Sequence, residues 1–337
     1  MKCGHSTEML AFSKDETIPE EQIILNPGES LKPLEPAHSP QCNCNNKNIL
    51  RRTYRLFLKR KEQPQGCINS IKLSEKVKIT DAEISYYYIL NQTKIDCQGY
   101  NDASCQITLD VERTYNDIPY FSQGNGKIIL KRMLLAYAKY NPNLGYVQGM
   151  NLIAAALLWH TSEIHAFWLL VSLINDFDLT ALFLPGFPGL EKHCHVADFM
   201  LIEYLPALYE HLSRHGIMTQ MIMIEWCLTL FTSVIPLDDT IWFFNKFIKH
   251  RWVFFYKVFL EVLERLEEKI IRCNSAAAIL KIIQKRRNTR QIWDEFLSEM
   301  EKPREKLTWE KLIKHAKEKT INEVCIKYLL GQFYNIS

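Results

Sequence analysis

The stretch Tyr146–Trp159 constrains this chain more than any other. It reads YVQGMNLIAAALLW, apolar on nearly every side. A helix of that composition has to lie inside a larger body rather than on its surface. Helices to surround it are visible in the sequence. Lys127 to Tyr140 sets Ile129, Met133 and Tyr137 on one stripe, with Leu130 and Leu134 beside it, and Pro142 follows as a stop. Ile164 to Ile174 continues the pattern after Thr161 and Ser162, both good capping residues. Leu184-Pro185-Gly186-Phe187-Pro188-Gly189 reads as a loop. Helical patterns return at His195 to Leu212, stopped by Gly216, then at Met218 to Ser233 and Asp238 to His250. Phe255, Phe259, Val262, Leu266 and Ile270 mark another helix, and Trp309 to Leu330 holds one or two more. No alternating strand longer than a few residues is present, so the predicted class is all-α, with helices packed at varied angles rather than as a four-helix bundle.

At 337 residues, 47% of them hydrophobic and 23% charged, the chain can build a large core. A net charge of +3 is too small to make nucleic acid the main partner. The cluster Arg51, Arg52, Arg55, Lys59, Arg60 and Lys61 reads as a solvated helix face before it reads as a lipid or phosphate patch. Ten cysteines scattered through apolar segments fit a reduced intracellular protein. Met1 to Phe12 lacks the pattern of a signal peptide. Ile217 to Leu237, interrupted by Gln220 and Glu225, suits a buried helix better than a membrane span. The expected location is therefore cytoplasmic. Residues 1–48 hold Pro19, Pro27, Pro33, Pro36 and Pro40 with no sustained period, and read as a mostly disordered tail.

Several tempting groups carry little chemistry. His193-Cys194-His195 is too contiguous for a zinc set, and Cys42 and Cys44 with Cys3 and His5 lie in the tail. Gly124-Asn125-Gly126-Lys127 lacks phosphate-loop spacing and reads as a turn before a helix. Trp226, Trp242 and Trp252 read as core. No Ser-His-Asp set or paired carboxylates emerge.

Two segments stand apart: Ile107-Thr108-Leu109-Asp110-Val111-Glu112-Arg113-Thr114 and Gly145-Tyr146-Val147-Gln148-Gly149-Met150-Asn151. In order and separation they resemble the two signature motifs of the TBC domain of Rab GTPase-activating proteins, I-x-x-D-x-x-R-T and G-Y-x-Q-G-M-N. Ala166-Phe167-Trp168, Glu203-Tyr204-Leu205-Pro206-Ala207-Leu208 and Glu225-Trp226-Cys227-Leu228-Thr229-Leu230-Phe231 continue the resemblance. It covers residues 49–330, after the 1–48 tail and before a short tail at 331–337.

The resemblance implies the family's multi-helix fold and activity on a Rab-type small GTPase in its GTP-bound state. Residue by residue, Arg113 matches the arginine finger and Gln148 the glutamine finger. GTP hydrolysis needs charge stabilised on the transferring phosphoryl group and a water held in line. A planar guanidinium suits the first task and an amide the second. Asp110, three residues before Arg113, is expected to orient the guanidinium from the same helical face. Tyr146, Gly149 and Asn151 are expected to shape the turn that presents Gln148, with Gly149 letting backbone approach the nucleotide. Ile107 and Thr114 complete the first motif as supporting residues. The resemblance implies no cofactor of the chain's own, since GTP and magnesium belong to the partner. Contact with endomembranes would be peripheral and through the Rab.

The chain also departs from the family pattern. Leu50 to Phe57 lacks the expected tryptophan and glycine-proline entry, Asn245 stands near an expected aspartate, and an expected glycine is replaced around His250 and Arg251. These departures leave a second reading open, a TBC-fold adaptor that binds a Rab or scaffold without stimulating hydrolysis.

Overall fold

The structure, a computed structural model, describes residues 83, 85–90, 102–284, 295, 297–301 and 306–332. The expected tail at 1–48, the basic cluster from Arg51 to Lys61, the Leu50–Phe57 segment and the Cys3, His5, Cys42 and Cys44 group lie outside the described residues.

Among the described residues the chain is helical and has no strand. In order, the helices are α1 (Asp102–Glu112), α2 (Pro119–Ser122), α3 (Gly126–Tyr140), α4 (Met150–His160), α5 (Glu163–Asp176), α6 (Thr180–Phe183), α7 (Pro188–Tyr204), α8 (Pro206–Arg214), α9 (Gln220–Thr229), α10 (Thr240–Ile271), α11 (Ala276–Ile283), α12 (Trp309–Glu318) and α13 (Glu323–Gln332). A short 3₁₀ turn, Leu237–Asp239, leads into α10.

The apolar stretch does become a central helix, but it starts later than its composition suggests. α4 begins at Met150, because Gly149 takes a φ of 107° that a helix cannot use. Tyr146 to Gln148 are thereby left in a loop and turn outside the helix. α4 buries residues on all sides, packing against α3, α5 and α9.

Other boundaries move for local reasons. The expected helix His195–Leu212 is two helices, because Pro206 opens a new first turn after Leu205. Helix α7 starts at Pro188, inside the stretch read as a loop, again with proline in its first turn. Helix α9 is shorter than Met218–Ser233, since Leu230 and Phe231 turn left-handed at φ 48° and 60°. Ser162 stands at the N-cap of α5, yet its hydroxyl goes to the His165 ring at 2.5 Å and not to a backbone amide. Helices α1 and α11 have no counterpart in the periodicity reading. α1 shows only a weak apolar stripe, whereas Ser275 caps α11 by accepting from the Ala278 amide.

Aromatic side chains fill the centre behind α4. Trp226, Phe231, Phe243, Phe247, Trp252 and Phe255 form a chain of ring contacts, and all six are buried. His193 joins this core against Trp252, with the Tyr256 hydroxyl 2.7 Å from its Nδ1. Burial first, and the neighbouring Lys192 second, hold its ring well below the usual histidine range. Trp226 and Trp252 are core residues as expected, while Trp242 is half-buried.

Helix α10 breaks direction at Arg251, whose backbone stands at φ 53° and ψ −142°. That conformation belongs to glycine, and it falls where the resemblance leads one to expect a glycine. The arginine side chain supplies compensation: its guanidinium donates to the Asp176 carbonyl at 2.5 Å and lies 4.4 Å over the Phe177 ring. Asn245 is buried in the same helix, and its Oδ1 has no hydrogen-bond partner among the described residues.

Arg251→Ala loses these contacts and keeps the strain, whereas Arg251→Gly loses the same contacts and removes it. The glycine variant should therefore be more stable than the alanine variant by about 1 kcal/mol or more in urea unfolding. Equal stability of the two would show that the kink stores no strain.

Candidate functional site

The two polar segments singled out in the sequence meet between α1 and the start of α4. Asp110 lies in the last turn of α1 and has no exposed surface. Three donors converge on its carboxylate: Arg113 Nη2 at 2.6 Å, the Tyr146 hydroxyl at 2.6 Å and Gln106 Nε2 at 3.2 Å. Helix α1 ends at Glu112, so Arg113 stands in the turn just beyond it. Its side chain is 58% exposed, held at one end by Asp110.

Thr114 closes the helix. Its hydroxyl donates to the Asp110 carbonyl at 2.5 Å, satisfying one of the acceptors a helix end leaves open. The same hydroxyl oxygen accepts from Asn151 Nδ2 at 2.8 Å, while Asn151 Oδ1 accepts from the Gly149 amide at 3.1 Å. Both Thr114 and Asn151 are buried. Ile107 is fully buried beneath them as part of the core.

Arg113 thus lies between Asp110 and Thr114, and Gln148 lies between Tyr146 and Asn151. Bridges Asp110–Tyr146 and Thr114–Asn151 join the two segments on either side of these residues. Arg113 and Gln148 are both exposed, while the four bridging residues are buried or half-buried.

Gly149 packs closely against the domain itself. The close approach it permits is to the Leu228 carbonyl near the end of α9, where an added Cβ would stand 2.8 Å from that oxygen. The glycine therefore seats the turn against the domain's own backbone. Tyr115 makes a second tie to the same region, its hydroxyl donating to the Thr232 carbonyl at 2.7 Å. Two neighbours were not visible in the motifs. Gln106 could have been found, as it sits one turn before Asp110. Leu228 could not, because its contact is long-range.

Burial, then the hydrogen bond and charge of Asp110, hold the Tyr146 hydroxyl far above the ordinary tyrosine range, with Arg113 opposing. The Tyr146 hydroxyl is the donor in its bond to Asp110. Among the described residues, no group of three or more His, Cys, Asp or Glu side chains is arranged to hold a metal ion. His193, Cys194 and His195 diverge: His193 faces Tyr256 in the core, and His195 lies 3.8 Å from Glu191 at the surface.

The fold and site define an all-α domain that presents an exposed arginine and an exposed glutamine from two bridged segments. The family model described as the Rab-GTPase-TBC domain matches residues 53–271, well over half of the chain, and the chain belongs to that family. It is 31% identical over 221 residues to the TBC domain-containing protein C4G8.04 of Schizosaccharomyces pombe, covering 65% of this chain and 29% of that protein. It is 36% identical over 155 residues to the GTPase-activating protein GYP5 of Saccharomyces cerevisiae, covering 46% of this chain and 17% of that one. The chain thus spans under a third of the length of these relatives. Among solved structures it resembles the Ypt/Rab-GAP domain of Gyp1p, with TM-score 0.56 and 17% identity, over 70% of this chain and 79% of that one. It also resembles a Chlamydomonas flagellar RabGAP TBC domain, with TM-score 0.55 and 16% identity, over 81% and 93% of the two chains. These likenesses are of fold.

Two substitutions test the bridged turn. Tyr146→Phe keeps the ring and removes one donor to a buried carboxylate, a loss of about 1–3 kcal/mol. Gly149→Ala meets both the positive φ and the Leu228 carbonyl, so it should cost roughly 2 kcal/mol or more. Urea unfolding measures both, and a Gly149→Ala protein as stable as wild type would mean that the turn is not seated as described.

Proposed function

We propose that this chain is a GTPase-activating protein for a Rab-type small GTPase in its GTP-bound state, with Arg113 as the arginine finger and Gln148 as the glutamine finger. The observation that carries the proposal is the pair of bridges, Asp110–Tyr146 and Thr114–Asn151, that brackets two exposed side chains of the required types. Family membership and a relative described as a GTPase-activating protein support it.

In this reading Arg113 stabilises charge on the transferring phosphoryl group. Its guanidinium has five N–H donors, and one nitrogen is engaged by Asp110, so donors remain for phosphate oxygens. Asp110 limits the conformations of a long side chain before the partner arrives, which lowers the entropy cost of ordering it on binding. Gln148 both donates and accepts, so it can hold the attacking water between the phosphate and nearby backbone. Catalysis is positioning plus electrostatics, with little covalent chemistry asked of the domain. GTP and its magnesium belong to the partner, and the chain supplies no cofactor of its own. Its cellular role would be to end the active state of a Rab in vesicle trafficking, working from the cytoplasm and at endomembranes through that Rab.

Phosphate release from a panel of GTP-loaded Rab proteins checks this. Wild type should accelerate at least one member. Arg113→Ala should remove roughly 10³-fold or more of that acceleration, the scale known for such arginines. Arg113→Lys should not restore it, since the planar fork is lost. Gln148→Ala should also remove most of it, and Asp110→Ala should lower it through loss of the anchor. Binding to the GDP–aluminium fluoride form should be tighter than to the GTP form. A Rab that binds without acceleration, and without preference for the fluoride complex, would replace this reading with that of an adaptor.

A further inference from the structure

A second feature lies on the outer faces of α10 and α12, which pack along each other. Before the kink, α10 carries Lys246, Lys249 and His250 at the i, i+3 and i+4 positions of one face. α12 contributes Lys317, exposed on its polar side. Lys249 and His250 are exposed and Lys246 is half-exposed. Among the described residues, Lys246, Lys249 and Lys317 make no ion pair.

These cations act on one another. Partial burial, then Lys317 and Lys249, push the Lys246 ammonium below the usual lysine range. His250 is lowered by burial, then by Lys317, Lys246 and Lys257. Glu323 offsets this in part, but it is already paired with Lys257 at 3.1 Å and lies 3.8 Å from Lys327. By contrast, the next stretch of the same helix pair neutralises its charges internally. Glu261 is paired with Arg265 at 2.5 Å and with Lys319 at 3.1 Å. Unneutralised repulsion among three neighbouring lysines, Lys246, Lys249 and Lys317, opposes folding, and a polyanionic partner would relieve it.

We propose that the surface of Lys246, Lys249, His250 and Lys317 docks on the anionic face of a lipid bilayer. The charge is spread across the outsides of two helices, with no buried donor converging on a point. That arrangement suits a diffuse sheet of negative charge better than a single cradled phosphate. A polynucleotide is a weaker match, because the patch is compact rather than an extended stripe and the chain as a whole carries only +3. The proposal stands apart from the finger mechanism, since none of its residues belongs to the two bridged segments.

The test is co-sedimentation of the full chain with vesicles of phosphatidylcholine alone, or with about a third phosphatidylserine. Wild type should bind the acidic vesicles, weakly or not at all the neutral ones, and less as salt rises. Each lysine near such a surface is worth about fivefold, so Lys246→Glu, Lys249→Glu and Lys317→Glu together should reduce binding roughly 100-fold or more. A control triple, Lys139→Glu, Lys269→Glu and Lys281→Glu, changes net charge equally at exposed positions elsewhere and should retain most of the binding. A triple of lysine-to-glutamine changes at the patch serves if the glutamates impair folding, which thermal unfolding reports. The proposal is overturned by wild type that ignores acidic vesicles, or by equal losses in the two triples. It also fails if the patch variant keeps full binding, which would assign the contact to Arg51–Lys61. Capture of duplex RNA in preference to acidic vesicles would overturn it as well.

Discussion

Asp110 has no exposed surface, yet a guanidinium, a phenol and an amide converge on its carboxylate. A buried acid of this kind is tolerable only when its oxygens are satisfied. Here the donors come from two distant parts of the chain, so satisfying the acid and assembling the site are one event. Removing the carboxylate leaves the half-buried Tyr146 hydroxyl without this acceptor and frees a side chain that is otherwise held from one end. Thr114 and Asn151 repeat the arrangement a few residues further along, with neutral groups. The charged bridge fixes direction, and the neutral one fixes register.

Much of this was legible in the residues. The all-α class followed from helical spacing in Lys127–Tyr140 and Ile164–Ile174, and the second of these settled as α5 within two residues at each end. Asp110 and Arg113 could be paired from their spacing alone. Two boundaries turn on prolines that the sequence shows, Pro188 and Pro206, and the other misplaced helix ends turn on backbone geometry that composition does not encode. Apolar residues run on across Gly149, but the helix does not, because the glycine's positive φ separates Tyr146 to Gln148 from α4. Leu230 and Phe231 look like more helix and instead turn left-handed. The reason Gly149 is needed lies in Leu228, which is remote in sequence and chemically undistinguished, so no motif announces it.

Arg251 shows how a departure from a family pattern can be absorbed. A side chain at a conformation suited to glycine is strained, yet this side chain reaches back to the Asp176 carbonyl and the Phe177 ring. The bend survives with a different residue because the strain is set against contacts glycine could never make. Below the bend, the Glu261, Arg265 and Lys319 network binds α10 to α12. Above it, the lysines are left without acidic partners. One helix pair thus divides into a self-neutralised part and an unneutralised one.

The side-chain bridges have a consequence for how freely the connecting chain can vary. Between Thr114 and Tyr146 the backbone passes through α2, α3 and the exposed turn at Pro142 and Asn143. The position of Gln148 relative to Arg113 is set by contacts at both ends and by the Leu228 and Thr232 carbonyls, not by the length of that path. Closing a longer flexible loop adds only a small, logarithmic entropy cost. Extra residues grafted into the turn at Pro142 and Asn143 would lengthen the route without moving its destination, making it a natural point at which a related chain could acquire an insertion or an engineered one could carry a reporter.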